Sequence, residues 1–542
     1  MAKKLKTTYN PGEPTLDLEF QDTEVQEQSG PVTVLGMTFA NDDERRAYFR
    51  EQLRAKLPEL RNIEGFPIGT DDDIVNLSDP PYYTACPNPW LNDFIAEWEQ
   101  EKLQLEADGK RLPNVEVIEP YAADVSEGKA NPIYMAHAYH TKVPHPAIMR
   151  YILHYTQSGD IIFDGFAGTG MTGVAAGKCQ YSNPITENSQ IGLRHAICSD
   201  LSPIASFITH NFNNPCSKKK FTKVAEDIIS KVENELGHYY DTIHSDGNKG
   251  IISYVIWSEV FSCADCGHEI VYFNDMYDIK GEREDFICPN CGASISKGIL
   301  EKTFDTIISP TGNTVTVNKL VPAYIRYSYS GKKYTKRPDQ KDFELLNTIQ
   351  NQIISSKIPD YTIPVGVKTN ELIRNGRVNV SDLYTRRNLA IFARLWELGK
   401  DEPLFRFALT SILVKTGSLL HNVGFKDGKV NLAGALPNAL FIPSILAERN
   451  IFELLRGKLK DIIAIEPETL AYACNQIQSA TDLQNIKDSS IDYIFTDPPF
   501  GKNLMYSDLN FIHEGWLGIL TNTKEEAIEN SVQEKGLPQI RN

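Results

Sequence analysis

The chain has 542 residues, of which 41% are hydrophobic and 23% are charged, a composition typical of a globular protein of about two to four domains. The formal net charge of −16 argues against a surface that binds nucleic acid everywhere, although basic patches can be segregated. No apolar run approaches the ~20 residues of a membrane span. Four of the nine cysteines form two Cys-x-x-Cys pairs, which indicates a metal in a reducing compartment, so we predict a cytoplasmic protein.

The first part of the chain predicts two helices after a polar arm. Residues 1–40 have no sustained hydrophobic period, whereas 41–60 and 90–105 have helical periods. Between the helices lies Asp79–Pro80–Pro81–Tyr82, preceded by residues 74–78, which make a poor buried strand. We interpret this stretch as a proline-rich surface loop.

A glycine-rich turn at 164–170 is the strongest signal of a binding site. The apolar run 160–163 ends at Asp164, and the glycines let a ligand approach the backbone at the start of a helix, where N–H groups favour anionic groups. An ordinary βα turn has the same pattern, so both interpretations stay open for the turn alone. Residues 195–200 predict the next strand, and a carboxylate at its end, Asp200, can accept both hydroxyls of a ribose.

Two cysteine pairs predict a metal site in the following region. Cys263-x-x-Cys266 and Cys288-x-x-Cys291 are each followed by glycine, and each can form a tight knuckle that directs two thiolates at one ion. Four ligands complete a tetrahedral Zn²⁺ site and leave no open position. The pattern therefore predicts a zinc ribbon with a structural metal.

The long region after the cysteines contains a basic aromatic hairpin and several helices. Residues 324–337 predict a hairpin around Ser330–Gly331 in which tyrosines alternate with cations. This composition suits phosphate contact and base stacking, and equally a solvated edge hairpin protected by lysines. Residues 386–420 predict amphipathic helices, and 456–478 a further helical region. This inserted region is the candidate for target recognition.

A parallel sheet is predicted to resume near the end of the chain. Residues 479–483 and 491–496 predict strands, and the second runs into Asp497–Pro498–Pro499–Phe500. We expect helices over 503–521 and 523–535 and no further strand.

The glycine-rich turn and the Asp-Pro-Pro-Phe sequence together resemble the amino-group DNA methyltransferases, in particular members with a zinc ribbon. In that family Asp-x-Phe-x-Gly-x-Gly binds S-adenosylmethionine, and an Asp, Asn or Ser followed by Pro-Pro and an aromatic residue is the catalytic motif. The resemblance covers about a third of the chain and implies a Rossmann-like α/β methyltransferase sheet interrupted by a large insertion. It implies these cofactor-binding residues: Thr141, Lys142, Asp164, Phe166, Gly168, Gly170, Asp200 and Asp482.

The resemblance also implies how a base would be methylated. An exocyclic amine of adenine or cytosine is a poor nucleophile because its lone pair is delocalised into the ring. The Asp497 carboxylate and the Pro498 carbonyl would accept its hydrogens, and Phe500 would stack on the base after it leaves the double-stranded DNA. An aspartate at the first position favours adenine over cytosine. The implied catalytic residues are Asp497, Pro498, Pro499 and Phe500.

Residues 79–82 also fit the catalytic motif, and one class of the family carries that motif before the cofactor motif. The better strand pattern before Asp497 favours the second copy. We therefore predict a site-specific DNA methyltransferase of a restriction–modification or phage-defence setting. The predicted regions are an N-terminal arm and helical segment (1–130), the first half of the methyltransferase domain (131–215), the zinc ribbon region (216–300), an inserted recognition region (301–455) and an incomplete second half (456–542).

The family sheet has seven strands, three of them after the catalytic motif, and none of those three is predicted here. We expect a truncated or split product with an uncovered catalytic strand, whose missing strands a second polypeptide would supply. Two other functions stay open. One is a non-catalytic zinc-ribbon DNA-binding protein with a vestigial methyltransferase half, and the other is an RNA or protein amino-methyltransferase.

Overall fold

A computed structural model describes most of the chain. The described residues are 30–113, 115–122, 131–182, 190–278, 281–282, 286–296, 300–426, 429–466, 471–499, 501–502 and 504–536. None of the described helices combines the length and the apolar composition that a bilayer crossing needs.

The first two predicted helices are confirmed as α1 and α3. The Asn41 side chain caps α1 by accepting a hydrogen bond from the backbone N–H of Glu44 (2.9 Å). Residues 32–39, predicted as part of a polar arm, form a short hairpin instead. The elements up to residue 213 are β1 (Val32–Val34), β2 (Met37–Phe39), α1 (Asp42–Leu60), α2 (Asp71–Leu77), β3 (Tyr83–Thr84), α3 (Leu91–Ala107), α4 (Pro132–Ala136), α5 (His145–Tyr155), β4 (Ile161–Asp164), α6 (Met171–Lys178), β5 (His195–Asp200) and α7 (Pro203–Asn213).

The middle of the chain is mostly antiparallel strand and amphipathic helix. Its elements are α8 (Lys218–Leu236), β6 (Asp241–Ile243), β7 (Lys249–Ser262), β8 (Glu269–Val271), α9 (Tyr272–Met276), β9 (Tyr277–Asp278), β10 (Gly281–Glu282), β11 (Phe286–Ile287), β12 (Ser294–Ile295), β13 (Glu301–Lys302), β14 (Phe304–Ile308), β15 (Thr314–Asn318), β16 (Leu320–Tyr329), β17 (Lys332–Lys336), α10 (Gln340–Asn351), α11 (Asn370–Arg374), α12 (Arg386–Leu398), α13 (Pro403–Leu413), β18 (Asn422–Lys426), β19 (Lys429–Gly434) and β20 (Ile445–Arg449). The last elements are α14 (Ile451–Ile463), β21 (Cys474–Ile477), β22 (Tyr493–Ile494) and α15 (Tyr506–Leu517).

A five-stranded parallel sheet forms one layer of this mixed α/β fold. Its strand order is β22-β4-β5-β21-β3, and every neighbouring pair is parallel. All four residues of β4 are buried, as expected for a strand covered on both faces. β22 is the outermost described strand on its side, where Ile494 is 62% exposed.

The residues between β5 and β21 form a second, antiparallel sheet around the long strand β7. β16, β20, β6, β8 and β13 all pair with it. The two sheets share one hydrophobic core, because α13 packs against both α7 and α14. A smaller core lies around the cysteine pairs and includes Cys263, Cys288 and Ile270.

The predicted basic hairpin is confirmed as β16 and β17, joined by Ser330–Gly331 at φ angles of 46° and 73°. Its tyrosines contact one another and His244: the His244 and Tyr329 rings stack at 4.4 Å. Tyr327 and Tyr334 also stack, at 5.8 Å. Since the aromatic faces are engaged internally, the geometry favours the edge-hairpin interpretation over base stacking.

Two sequence predictions near the end of the chain are wrong. The strand expected over 479–483 lies earlier, as β21, in a stretch expected to be helical. Residues 523–535 form one short 3-10 turn and not a helix. Residues 74–77, which matched a buried strand poorly, belong to α2, whose N-terminus Thr70 caps by accepting from the Asp73 N–H (3.1 Å). The interpretation of 79–82 as a surface loop is wrong, because Asp79, Pro80 and Pro81 are buried. The helix expected within 503–521 is confirmed as α15.

Candidate active site at the carboxyl edge of the parallel sheet

The carboxyl ends of β4, β5, β21 and β22 open into one cavity of about 1090 Å³. Parallel strands end at the same edge, so residues far apart in the chain meet there. The lining includes the glycine-rich turn, Asp200, residues 479–481 and Asp497.

Side-chain and backbone hydrogen bonds hold the glycine-rich turn rigidly. Asp164 accepts from the Phe166 N–H (3.1 Å) and the Thr172 hydroxyl (2.6 Å). The Gly168 N–H donates to Asp200 (2.8 Å), which ties the turn to the end of β5. Gly170 has a φ of 69°, and a Cβ there would lie 2.5 Å from Thr209 Cγ2, so only glycine fits.

Gly168 differs from Gly170, because its missing side chain would point into open space. Its φ is 54°, and the nearest atom to an added Cβ is a ring carbon of Tyr139 at 3.6 Å. The turn therefore leaves its backbone accessible from the cavity at this residue, while Phe166 lines the same wall.

Two carboxylates at the cavity have shifted pKa values. Burial raises the pKa of Asp164 to about 6 and that of Asp200 to about 7, against hydrogen bonds that favour the charged forms. A neighbouring carboxylate also contributes to each shift. Asp164 raises the pKa of Asp200, and Asp497 raises the pKa of Asp164. Such carboxylates favour a ligand that donates hydrogen bonds to them, as ribose hydroxyls do.

Asp497 lies just after the C-terminal end of strand β22, which pairs with β4. Backbone pairing continues past the strand, since the Phe495 N–H donates to the Phe163 carbonyl (3.1 Å). Asp497 and Pro499 line the cavity, and Asp497 is exposed with no hydrogen-bond partner among the described residues. Pro498 is exposed between them. Phe500 lies outside the described residues.

The side chains of Lys142 and Asp482 have other partners than those expected from the resemblance. Lys142 lines the cavity, but its ammonium donates to backbone carbonyls, those of Ile133 (3.0 Å) and Tyr134 (3.2 Å) among them. Burial lowers its pKa to about 7. Asp482 is not among the described cavity-lining residues, and its carboxylate accepts from the Glu64 N–H (3.3 Å). Neither contact favours a role in holding a cofactor carboxylate or an adenine.

The C-terminal part of the chain supplies a wall of the cavity that sequence patterns did not indicate. The Thr141 hydroxyl is 2.9 Å from that of Tyr506, at the start of α15. Asn510 donates to the Tyr139 hydroxyl (3.1 Å) and to Ser202 (3.0 Å). Nothing local marks these residues, because their partners lie more than 300 positions away.

The first Asp-Pro-Pro sequence lies at the opposite edge of the sheet. Asp79 precedes β3, whereas the cavity lies beyond the ends of the strands. Asp79 accepts from Arg45 (2.7 Å) and Arg46 (3.0 Å), and Arg45 also donates to the Pro80 carbonyl (2.5 Å). The two acceptors that would hold an amine are therefore already occupied.

Asp79 is held as a buried anion. Burial alone would raise its pKa, but a hydrogen bond from His210 and the charges of Arg45 and Arg46 outweigh burial and hold the pKa well below its usual range. Asp79 is only 3% exposed. Its geometry indicates a structural ion cluster.

From this ion cluster we predict that removing the Asp79 side chain strongly lowers the stability of the fold. Asp79→Ala is expected to lower the free energy of unfolding by about 3–5 kcal/mol, because the buried Arg45 would lose its buried carboxylate partner and keep only the more exposed Asp42. Urea denaturation measures the change. Asp42→Ala is the matched control, since Asp42 pairs with the same Arg45 but is 40% exposed, and it should cost under about 1 kcal/mol. Equal effects of the two substitutions would contradict the buried cluster.

The four paired cysteines meet in space. Their sulfur atoms all lie within 4.8 Å of one another, with Cys263–Cys291 at 3.8 Å and Cys266–Cys288 at 3.7 Å. A tetrahedron with metal–sulfur bonds of ~2.3 Å has edges of ~3.8 Å, so the spacing fits one ion. Both knuckles close in the same way, because Gly267 donates to Cys263 and Gly292 to Cys288. This cluster could hold a metal ion.

The similarity to known proteins is confined to one segment of the chain. A family model described as DNA methylase, of the N6/N4 type, matches residues 70–192. The matched segment is similar to DNA methylases. It includes Asp79–Tyr82 and the glycine-rich turn, covers less than a quarter of the chain and ends before Asp497. No curated protein and no solved structure shows a significant match.

Proposed function

We propose that the protein is an S-adenosylmethionine-dependent DNA methyltransferase that acts on the exocyclic amine of a base, adenine rather than cytosine. The observation that carries this proposal is the single cavity shared by the glycine-rich turn, Asp200 and Asp497. The family match supplies the class of reaction.

The residues of the cavity fit the cofactor. The accessible backbone at Gly168 and the carboxylate of Asp200 suit a nucleoside, and Phe166 offers an apolar wall. When bound, S-adenosylmethionine supplies an electrophilic methyl group. The chain has to hold the target amine in front of that group with its lone pair localised.

Asp497 and Pro498 are suited to that task. A carboxylate without an internal partner can accept one hydrogen of the amine, and the neighbouring carbonyl can accept the other. Holding both hydrogens localises the lone pair, and the proline rings restrict the backbone that carries the two acceptors. The Asp497 carboxylate would be the proposed acceptor for the proton that the amine loses when the N–C bond forms and the S–C bond of the cofactor breaks, which releases S-adenosylhomocysteine.

The position of the family match makes Asp79 the competing candidate. That match includes Asp79 and not Asp497. Against Asp79 stand its burial, its occupied oxygens and its place across the sheet from the cavity. We therefore assign the catalytic role to Asp497 and a structural role to Asp79.

We further propose that Cys263, Cys266, Cys288 and Cys291 bind a structural Zn²⁺. All four ligand positions are protein thiolates, which is typical of structural sites. The antiparallel region that carries them is the candidate for recognition of double-stranded DNA.

The cofactor assignment is tested at Gly168. Gly168→Val is expected to weaken S-adenosylhomocysteine binding at least about 10-fold, because a side chain would fill the space that the cofactor needs. Calorimetry with the full chain measures the affinity. Gly36→Val is a matched control, since Gly36 also has a positive φ of 70° and free space, but lies in the β1–β2 turn. Unchanged affinity in Gly168→Val would place the cofactor elsewhere.

The substrate class is tested by offering the same preparation DNA, RNA and peptide with labelled S-adenosylmethionine. Label in DNA supports the proposal. Label in RNA or peptide alone would favour the RNA or protein amino-methyltransferase, and cofactor binding without transfer to any of them would favour the non-catalytic DNA-binding protein.

A further inference from the structure

A second cavity, of about 740 Å³, lies between α1, the end of α2 and the start of α13. Because it includes Asp79, it lies at the amino-terminal edge of the parallel sheet, away from the candidate active site. Its lining carries three arginines, Arg46, Arg50 and Arg406. We call it the arginine cavity.

Arg406 lacks the partners that a guanidinium normally has. Its Nε is buried without a hydrogen-bond partner, and the side chain forms no ion pair among the described residues. Burial lowers its pKa to about 10, and the charge of Asp401 offsets this only in part. The guanidinium lies over the Trp396 ring, 4.8 Å from its centre, so stacking holds it in place. A fixed guanidinium with unused donors is suited to an incoming anion.

Arg50 adds a second cation without a carboxylate partner. It donates to the carbonyls of Ser78 (3.1 Å) and Asn76 (3.0 Å) and forms no ion pair in the described part of the chain. Burial and then the charge of Arg46 lower its pKa. Both Arg50 and Arg406 line the cavity, and the charge of Arg50 contributes to lowering the pKa of Arg406.

The acidic residues of the cavity do not neutralise the positive charges of Arg50 and Arg406. Each has a closer cation than Arg406: Asp79 pairs with Arg45 (2.7 Å), Asp43 with Arg46 (3.6 Å) and Asp401 with Lys400 (4.0 Å). Asp43 and Asp401 are also largely exposed, so solvent screens them. The start of α13 faces the same space through Pro403, and a helix N-terminus favours negative charge.

We propose that the arginine cavity binds a phosphate-type oxyanion between Arg50 and Arg406. The Arg406 guanidinium can offer paired hydrogen bonds to two phosphate oxygens. Arg50, whose Nε and Nη2 already donate to backbone carbonyls, can add its charge and its Nη1 donor. Both free phosphate and a phosphate of a nucleic-acid backbone have this chemistry. The proposal is independent of the methyltransferase assignment, because none of these residues lines the other cavity.

Titration of inorganic phosphate into the full chain, followed by calorimetry, tests the proposal. We expect saturable binding that Arg406→Gln and Arg50→Gln each weaken at least about 10-fold, because each removes charged hydrogen bonds. Arg406→Lys keeps the charge and should weaken binding less. Lys332→Gln, on the exposed edge hairpin, is the matched control and should bind phosphate like the wild type.

A short DNA duplex distinguishes the two sources of the anion. If the duplex displaces phosphate from the wild type and Arg406→Gln loses this effect, the natural ligand is a backbone phosphate. If the duplex does not displace phosphate, the natural ligand is a free anion. An unchanged far-ultraviolet circular dichroism spectrum of the same variants shows that they remain folded. The proposal is overturned if the wild type binds neither probe through these arginines, or if the variants bind phosphate as tightly as the wild type.

Discussion

Asp497→Ala is expected to lower methyl transfer to DNA by at least about 100-fold, the usual cost of losing a group that stabilises a transition state. The reason is that the amine would lose the carboxylate proposed to accept its hydrogen, while the glycine-rich turn proposed to hold the cofactor would be untouched. Because Asp497 is exposed and has no partner among the described residues, its loss should leave the melting temperature unchanged. A radiolabelled assay with DNA from a methylation-deficient host measures the transfer.

The matched variant is Asp79→Asn, which changes the same residue type in the other Asp-Pro-Pro sequence. We expect it to lower stability but to keep transfer within about threefold of the wild type at temperatures where it is folded. The reverse result, with transfer lost in Asp79→Asn and kept in Asp497→Ala, would show that the copy inside the family match is catalytic. Loss of cofactor binding in Asp497→Ala would mean that the residue holds the cofactor instead.

Replacing both Cys263 and Cys288 with serine is expected to reduce bound zinc from about one ion per chain to almost none. Each knuckle would lose one thiolate, and two remaining ligands bind Zn²⁺ far more weakly than four. The small core around the cysteines includes both residues. Since metal binding supplies free energy of folding in such sites, the region around the four cysteines should unfold locally when the metal is lost. Elemental analysis measures the zinc, and limited proteolysis measures the local unfolding.

Cys216→Ser serves as the control for this pair of substitutions. Cys216 is half-buried and lies outside the cluster, so the variant should keep its zinc. The parallel sheet should persist in the double variant, because the main core does not contain the paired cysteines. Zinc retained at one ion per chain after the double substitution would show that the ion lies elsewhere.

Features that depend on neighbouring residues could be predicted from the sequence. The Cys-x-x-Cys-Gly spacing is sufficient to build a knuckle, Ser330–Gly331 can adopt the positive φ angles of a tight turn, and Asn41 can cap the helix that follows it. The glycine-rich turn belongs to the same class, since Gly170 is required by its own φ and by the approach of α7. The mixed α/β class was implied by the resemblance that the glycine-rich turn and the Asp-Pro-Pro-Phe sequence carry.

Features that depend on long-range pairing were decided only by the tertiary structure. Asp79 and Asp497 have nearly the same local sequence, and they differ because one precedes a strand and meets Arg45 while the other follows a strand and meets the cavity. The late strand was misplaced because β21 carries polar side chains, whose partners lie on distant segments. Asn475 donates to the Ser206 carbonyl of α7, and Gln476 donates to Ser199 of β5. Lys142 turned toward backbone carbonyls, and α15 closed the cavity, through contacts that no periodicity encodes. The sequence by itself determined the chemical groups that are available, and packing between segments that are distant in the chain determined which of them face the cavity.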